Sequence, residues 1–516
     1  MLVLDGHGLT LADVRRVLAE PRLTARVTES AWERVRASRA VIDAAIDSGA
    51  AVYGVTTGFG KLQNRAIAPA DRLRLQLNLV RSHACGVGPM LDSGTARLVV
   101  LLRLQSLVRG HSGVTPELVR RLLDIWNAGL APAIPEQGSV GASGDLAPLA
   151  HAALAALGEG AFLGACGGVR PAAGALRDAG LATSYVLREK EGLALLNGTQ
   201  LSTAIGLAAL AHADALLRHA DLLTALTLDA LLYSATPFRA EIHAARPHPG
   251  QAATAANVRA LLAGSEIVRS HPGPHKVQDA YSVRCAPQVH GAVRDALAYV
   301  HDVLEREANA TTDNPLVLVA TGEVVSGGNF HAEPVALACD HMAIAVAELA
   351  SIAERRIESL VNADLSQLPA FLAPEPGVCS GLMMAQVTAA ALVSENKALA
   401  HPASVDSVPT SAGQEDHVSM APIAARKARA ICENVEAVLA IELVAAAEAL
   451  EYRRPLRAGP AIEAVHALLR THVPRLTDDR VLADDIAAAR VLIRSGALLD
   501  AAEAHCGPLA GVARAG

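Results

Sequence analysis

The 516-residue chain predicts a mainly α-helical protein, on three observations. Apolar residues recur at helical spacing over long tracts, which is the pattern of helices with a buried face. Hydrophobic residues make up 51% of the chain but aromatic ones only 3%, so Leu, Ala and Val fill the core. A core of these aliphatic residues favours closely packed helices over a sandwich or barrel. The third observation is length: 516 residues exceed what one core usually serves, so subdivision is expected.

The elements follow in chain order. Thr10-Leu11-Ala12-Asp13 reads as a capped helix start. Residues 71–80 and 94–109 read as helices. A Gly-rich loop at 53–60 precedes them, another at 82–89 lies between them, and a third loop covers 132–145. Residues 164–186 contain Gly-Gly-Val-Arg-Pro and read as a small hairpin-like excursion. From about residue 194 the pattern turns helical at long range, over 199–235, 286–308, 333–362, 380–399, 420–452 and 479–504. Several of these tracts exceed an average helix, and little charge marks their faces. A long central helical bundle is expected, buried further by oligomerisation. The boundary is placed between 193 and 194, giving a smaller mixed domain at 1–193 and a helical domain at 194–516.

Composition excludes several function classes. The net charge is 45 − 52 = −7, with both signs spread along the chain. No basic block marks a nucleic-acid or anionic-membrane partner. No uninterrupted apolar run reaches the ~18 residues of a membrane span. Residues 1–7 lack a basic, then apolar, leader, so no signal peptide is expected, and the cytoplasmic location expected here rests on the cysteines. The seven cysteines are odd in number, widely spaced and without a Cys-x-x-Cys pair, which fits reduced thiols. No His-Glu-x-x-His occurs. His271 and His275 are four apart, but in a His-Pro-Gly-Pro-His run that cannot be helical, so no metal is expected.

The chemistry centres on residues 138–148, Gly-Ser-Val-Gly-Ala-Ser-Gly-Asp-Leu-Ala-Pro. Within it, Ala142-Ser143-Gly144 can cyclise and dehydrate into a backbone electrophile. Gly144 lacks Cβ, so its nitrogen can approach and attack the Ala142 carbonyl. Loss of water closes a five-membered ring, and loss of a second water from Ser143 leaves an exocyclic methylene. The product is 4-methylideneimidazol-5-one. No ordinary side chain is an electrophile of this kind, and such chemistry is normally delegated to a cofactor. Here no external cofactor is needed. A serine-hydrolase elbow is excluded, because Gly-x-Ser-x-Gly would need glycine where Asp145 stands.

Further polar, turn-rich motifs interrupt the apolar tracts. They are Glu-Lys-Glu-Gly-Leu-Ala-Leu-Leu-Asn-Gly-Thr-Gln at 189–200 and Val-Gln-Asp-Ala-Tyr-Ser-Val-Arg-Cys-Ala-Pro-Gln-Val-His-Gly at 277–291. Asn-Ala-Thr-Thr-Asp-Asn-Pro follows at 309–315, Ser-Gly-Gly-Asn-Phe-His-Ala-Glu-Pro at 326–334, and Val-Pro-Thr-Ser-Ala-Gly-Gln-Glu-Asp-His-Val-Ser-Met at 408–420.

In that order the motifs closely resemble the histidine ammonia-lyases, within the wider group of aromatic amino acid ammonia-lyases and aminomutases. The resemblance runs from about residue 45 to the C-terminal region. It implies a helical homotetramer of fumarase/aspartase-like architecture, whose N-terminal part carries the prosthetic group and whose active sites draw on more than one subunit. It implies that Ala142, Ser143 and Gly144 form the methylideneimidazolone, with Asp145 assisting. Tyr53 lies in the loop of the catalytic base, and Asn197 holds the prosthetic group or substrate. Arg284 is implied to clamp the substrate carboxylate, Tyr281 to support proton transfer, and Gln278 and Phe330 to line the pocket. Glu415 is implied to face the substrate ring or amine.

Chemistry agrees with those roles. A guanidinium grips a carboxylate through two parallel hydrogen bonds. A tyrosine hydroxyl ordinarily ionises near pH 10, so a tyrosinate base needs positive charge or hydrogen-bond donors nearby. Ser82-His83 bears on the substrate. Tyrosine-specific relatives resemble His-Leu there and phenylalanine-specific ones Phe-Leu, whereas His83 offers polar partners to an imidazole. The resemblance therefore implies conversion of L-histidine to trans-urocanate and ammonia. Ala280 stands where many histidine ammonia-lyases carry proline, and Gly413 where asparagine or glycine is usual. The Asp-Ala-Tyr form also occurs in tyrosine lyases and aminomutases, so a tyrosine ammonia-lyase or tyrosine 2,3-aminomutase is the alternative. A helical scaffold without activity would show damage at the tripeptide, Tyr53 or Arg284, and all are present.

Overall fold

The computed structural model describes residues 1–164, 167–271 and 277–512. Cys166 and His275 lie outside the described residues. The chain divides into two compact units, one of 1–211, 302–340 and 402–426, the other of 212–301, 341–401 and 427–516.

The first unit holds all eight strands found among the described residues, arranged as four two-stranded ribbons. Leu2–Leu4 pairs in parallel with Ala25–Val27. Val87–Met90 pairs antiparallel with Pro135–Gln137, next to the tripeptide loop. Ala161–Leu163 pairs antiparallel with Val169–Pro171, so the hairpin starts before the excursion expected at 164–186, and most of that range is instead the helix Ala172–Asp178 and irregular chain. Helices supply the rest. Leu11–Ala19 begins at a complete capping box, with Thr10 and Asp13 each bonding the other's backbone. Ser93–Leu107 is capped by Asp92 and is buried on nearly every face. Its Arg97 lies over the Trp126 ring at 4.5 Å, and the Trp126 indole donates to the Arg97 carbonyl. That satisfies the polar handle of a fully buried aromatic. The helix Pro116–Asn127 starts with Thr115 as cap and proline at its first position.

The second unit contains no strand among its described residues. Four helices carry the long apolar tracts: Gln200–Leu231, Ala286–Ala308, Glu333–Val361 and Ala421–Glu451. Each crosses a unit boundary along the chain. By length and composition Gln200–Leu231 and Glu333–Val361 could cross a membrane, although neither is an unbroken apolar run. Most of each is buried within the protein, as core helices are. The tract 479–504 is two helices, Leu482–Ser495 and Ala497–Cys506. Gly496 separates them with φ +78°, a left-handed conformation that ends a helix at little cost only for glycine. Met383–Leu399 begins three residues later than its periodicity suggests.

Candidate active site

The tripeptide sits on a tight, glycine-shaped loop. Gly144 has φ +78°, and a Cβ there would fall 2.2 Å from the Gly198 carbonyl oxygen. Only glycine allows that approach. The closeness is used: the Asp145 N–H donates to the same Gly198 carbonyl at 2.8 Å. Ser139 Oγ donates to the Gly144 carbonyl and accepts from the Gly141 N–H. The helix Leu146–Leu157 starts directly after the loop, and Gln200–Leu231 starts just past Asn197. Two helix N-termini thus add positive potential beside the tripeptide.

A cavity of about 450 Å³ opens over this loop. Tyr53, His83, Ser143, Asn197 and Glu415 all line it. Five residues named from separate sequence motifs therefore converge on one cleft within the first unit. Ser143 Oγ donates to Glu415 Oε1 at 3.1 Å, and Thr410 Oγ1 holds the other carboxylate oxygen at 2.7 Å. The Gly60 N–H donates to the Tyr53 hydroxyl oxygen at 3.0 Å, and Phe59 packs edge-on against the Tyr53 ring. The Asn197 amide donates to the Asn314 carbonyl at 2.8 Å, which fixes its orientation. His83 ends the helix Arg72–His83, with Ser82 Oγ 3.1 Å from its Nδ1. Burial pushes the His83 imidazole below its ordinary pKa, and the Leu79 carbonyl and Glu415 only partly oppose that. His83 is thus neutral near pH 7, with one donor and one acceptor nitrogen.

Behind the loop, Asp145 is fully buried. Its carboxylate accepts from the Ser202 N–H at 2.8 Å and Ser202 Oγ at 2.6 Å. Burial pushes its pKa up to about 6 despite those donors.

Several supporting residues carry no motif signal or were assigned no role. Gln76 is buried on the helix Arg72–His83 and bonds both the Gly54 carbonyl and the Gly192 N–H, each at 2.9 Å. It joins the Tyr53 turn to the helix Glu191–Leu196 that ends at Asn197. Lys190 and Asp313 form a fully buried ion pair at 2.7 Å. Arg103 is also buried, and its guanidinium donates to the Ala194 carbonyl.

Four of the expected catalytic and substrate-binding residues do not line this cleft. Gln278, Tyr281 and Arg284 belong to the second unit, and Phe330 lies in a turn of the first. Gln278 and Arg284 line a depression of about 470 Å³. The Arg284 guanidinium stacks 4.5 Å over the Tyr281 ring, and Tyr281 is 70% exposed. Among the described residues no carboxylate pairs with Arg284, and its Nε is buried without a hydrogen-bond partner. A guanidinium in that condition is available to an incoming carboxylate.

The aromatic amino acid lyase family model matches residues 9–471. The chain belongs to that family. Histidine ammonia-lyase of Anaeromyxobacter dehalogenans (strain 2CP-C) is 55% identical over 505 residues, covering 96% of this chain and 99% of the relative. That of Sorangium cellulosum (strain So ce56) is 54% identical over 516 residues, covering 98% and 100%. Among solved structures, histidine ammonia-lyase from Trypanosoma cruzi superposes with a TM-score of 0.90 at 44% identity, covering 98% of this chain and 95% of that one. Tyrosine aminomutase from Streptomyces globisporus gives 0.92 at 39% identity, covering 98% of both. As an aromatic amino acid lyase the chain is a carbon–nitrogen lyase of helical fold, as its motifs predict.

Proposed function

We propose that this aromatic amino acid lyase deaminates L-histidine to trans-urocanate and ammonia. The observation that carries the reading is the cleft itself, where neutral His83 and Glu415 face the Ser143 loop. Two polar groups of this kind suit an imidazole and would be left unpaired by a phenyl ring. The names of the relatives at 54–55% identity point the same way.

In this reading Ala142, Ser143 and Gly144 mature to 4-methylideneimidazol-5-one. The loop fits that group, because Gly144 is held without room for a side chain and Ser143 faces the cleft. Once formed, the group supplies an electron-poor centre that makes ammonia a workable leaving group. The remaining work falls to the chain's own side chains. Tyr53 takes the β-proton, its oxygen already held by the Gly60 N–H. Asn197, fixed by the Asn314 carbonyl, holds the prosthetic group or substrate. His83 and Glu415 orient the imidazole. Arg284 clamps the carboxylate, Tyr281 supports proton transfer, and Gln278 and Phe330 close the pocket.

The resemblance implies active sites that draw on more than one subunit, so the proposal includes a homotetramer in which neighbouring chains deliver those last four. Exposed apolar side chains on two helices support association, namely Leu337, Ile344, Met384 and Val387.

The deciding experiment follows product by ultraviolet absorbance with L-histidine, L-tyrosine and L-phenylalanine in parallel. Urocanate from histidine alone is expected. A cinnamate-type product from tyrosine would overturn the substrate assignment and keep the chemistry. Arg284→Lys is expected to lower kcat/KM on the order of tenfold to a hundredfold, because the charge survives but the two-pronged grip does not. An unchanged kcat/KM would remove the carboxylate clamp from Arg284.

A further inference from the structure

Outside the cleft lining, the first unit brings together His331, Glu333 and His417. One donor atom from each side chain lies within 4.8 Å of the other two. The two imidazole rings are nearly parallel, 6° apart in plane, with centroids separated by 5.7 Å. An ion lies in the plane of each imidazole that binds it, so one of these two stacked rings must turn about its Cβ–Cγ bond to share an ion with the other. Among the described residues, no hydrogen bond or ion pair engages any of the three side chains. His331 and Glu333 are half-buried and His417 is exposed, so an incoming ion can reach all three donor atoms.

The backbone on both sides is held firmly. His331 N–H bonds the Gly328 carbonyl, Ala332 is fully buried, and Glu333 is the first residue of the helix Glu333–Val361. On the other side, Val418 N–H bonds Ser407 Oγ, and Val418, Ser419 and Met420 are buried. The three ligands are therefore presented by fixed segments, and side-chain rotation is what closes them on an ion.

We propose that His331, Glu333 and His417 bind one divalent transition-metal ion of the zinc, cobalt or nickel class. Two imidazoles and one carboxylate suit these ions, whereas calcium and magnesium prefer oxygen ligands throughout. Three protein ligands leave the coordination sphere open to water. The ion clips the start of the helix Glu333–Val361 to the segment that carries Glu415, two residues before His417.

The test uses the full-length, chelator-stripped enzyme titrated with Co2+, read by equilibrium dialysis and visible ligand-field absorption. One Co2+ per chain is expected, together with a rise in Tm. His417→Ala, at an exposed position and so without a folding penalty, is expected to weaken binding at least about tenfold and to change the spectrum. Glu333→Gln is expected to do the same while keeping the side chain's shape. Circular dichroism checks that each variant is folded. Two results would overturn the proposal: no stoichiometric Co2+ binding by the unaltered enzyme, or the same affinity and spectrum in His417→Ala and Glu333→Gln.

Discussion

Ser143→Ala is expected to fold and assemble normally yet lose at least about a thousandfold in kcat, which is about 4 kcal/mol of barrier. The structural change is small. Ser143 Oγ makes one partly buried hydrogen bond, to Glu415, and a lost bond of that kind costs about 1 kcal/mol. Glu415 keeps Thr410 Oγ1 on its other oxygen, so its carboxylate is not stranded. The chemical change is total, because alanine has no hydroxyl to lose as water and no exocyclic methylene can form. Intact mass separates this explanation from misfolding. The unaltered chain is expected two waters lighter than its sequence, and the variant is not. Activity close to normal in Ser143→Ala would remove the prosthetic group from the reading altogether.

That tripeptide was legible because its chemistry depends on three adjacent residues. Tyr53, His83, Asn197 and Glu415 could be named for a different reason, since the ordered motifs that hold them resemble those of the histidine ammonia-lyases. The supporting layer behind them could not be. Gln76 lies inside an ordinary amphipathic helix, and nothing local shows that its amide bridges two loops. Lys190 and Asp313 are 123 positions apart, and spacing cannot reveal a pair that only folding creates. His331 and His417 escape a motif search in the same way. On the fold side, the apolar period continues straight through Gly496, because glycine is tolerated within a helical pattern. Its left-handed φ becomes visible only in three dimensions.

The buried pair behind Asn197 yields the second large effect. Lys190→Met is expected to destabilise the protein by about 3–5 kcal/mol, since it leaves the Asp313 carboxylate buried without its cation. Burial alone would push the Lys190 ammonium down, and Asp313 is what opposes that shift. The pair also has a positional role. Lys190 holds Asp313, and the next residue, Asn314, offers the carbonyl that receives the Asn197 amide. Lys190 itself is the cap of the helix Glu191–Leu196, at φ 77°, so both ends of the Asn197 support meet at this residue. Destabilisation and misplacement can be told apart by a second variant. Lys190→Met combined with Asp313→Asn removes both charges and is expected to recover part of the lost Tm, because no unpaired carboxylate remains, while the buried Arg103 guanidinium loses the Asp313 charge that acts on it. Turnover is expected to stay low in that double variant, since a neutral pair no longer fixes the Asn314 carbonyl as firmly. Recovery of Tm and kcat together would reduce the pair to a stability element. Failure of the double variant to recover Tm would mean that packing around Lys190, and not its charge, holds this part of the first unit together.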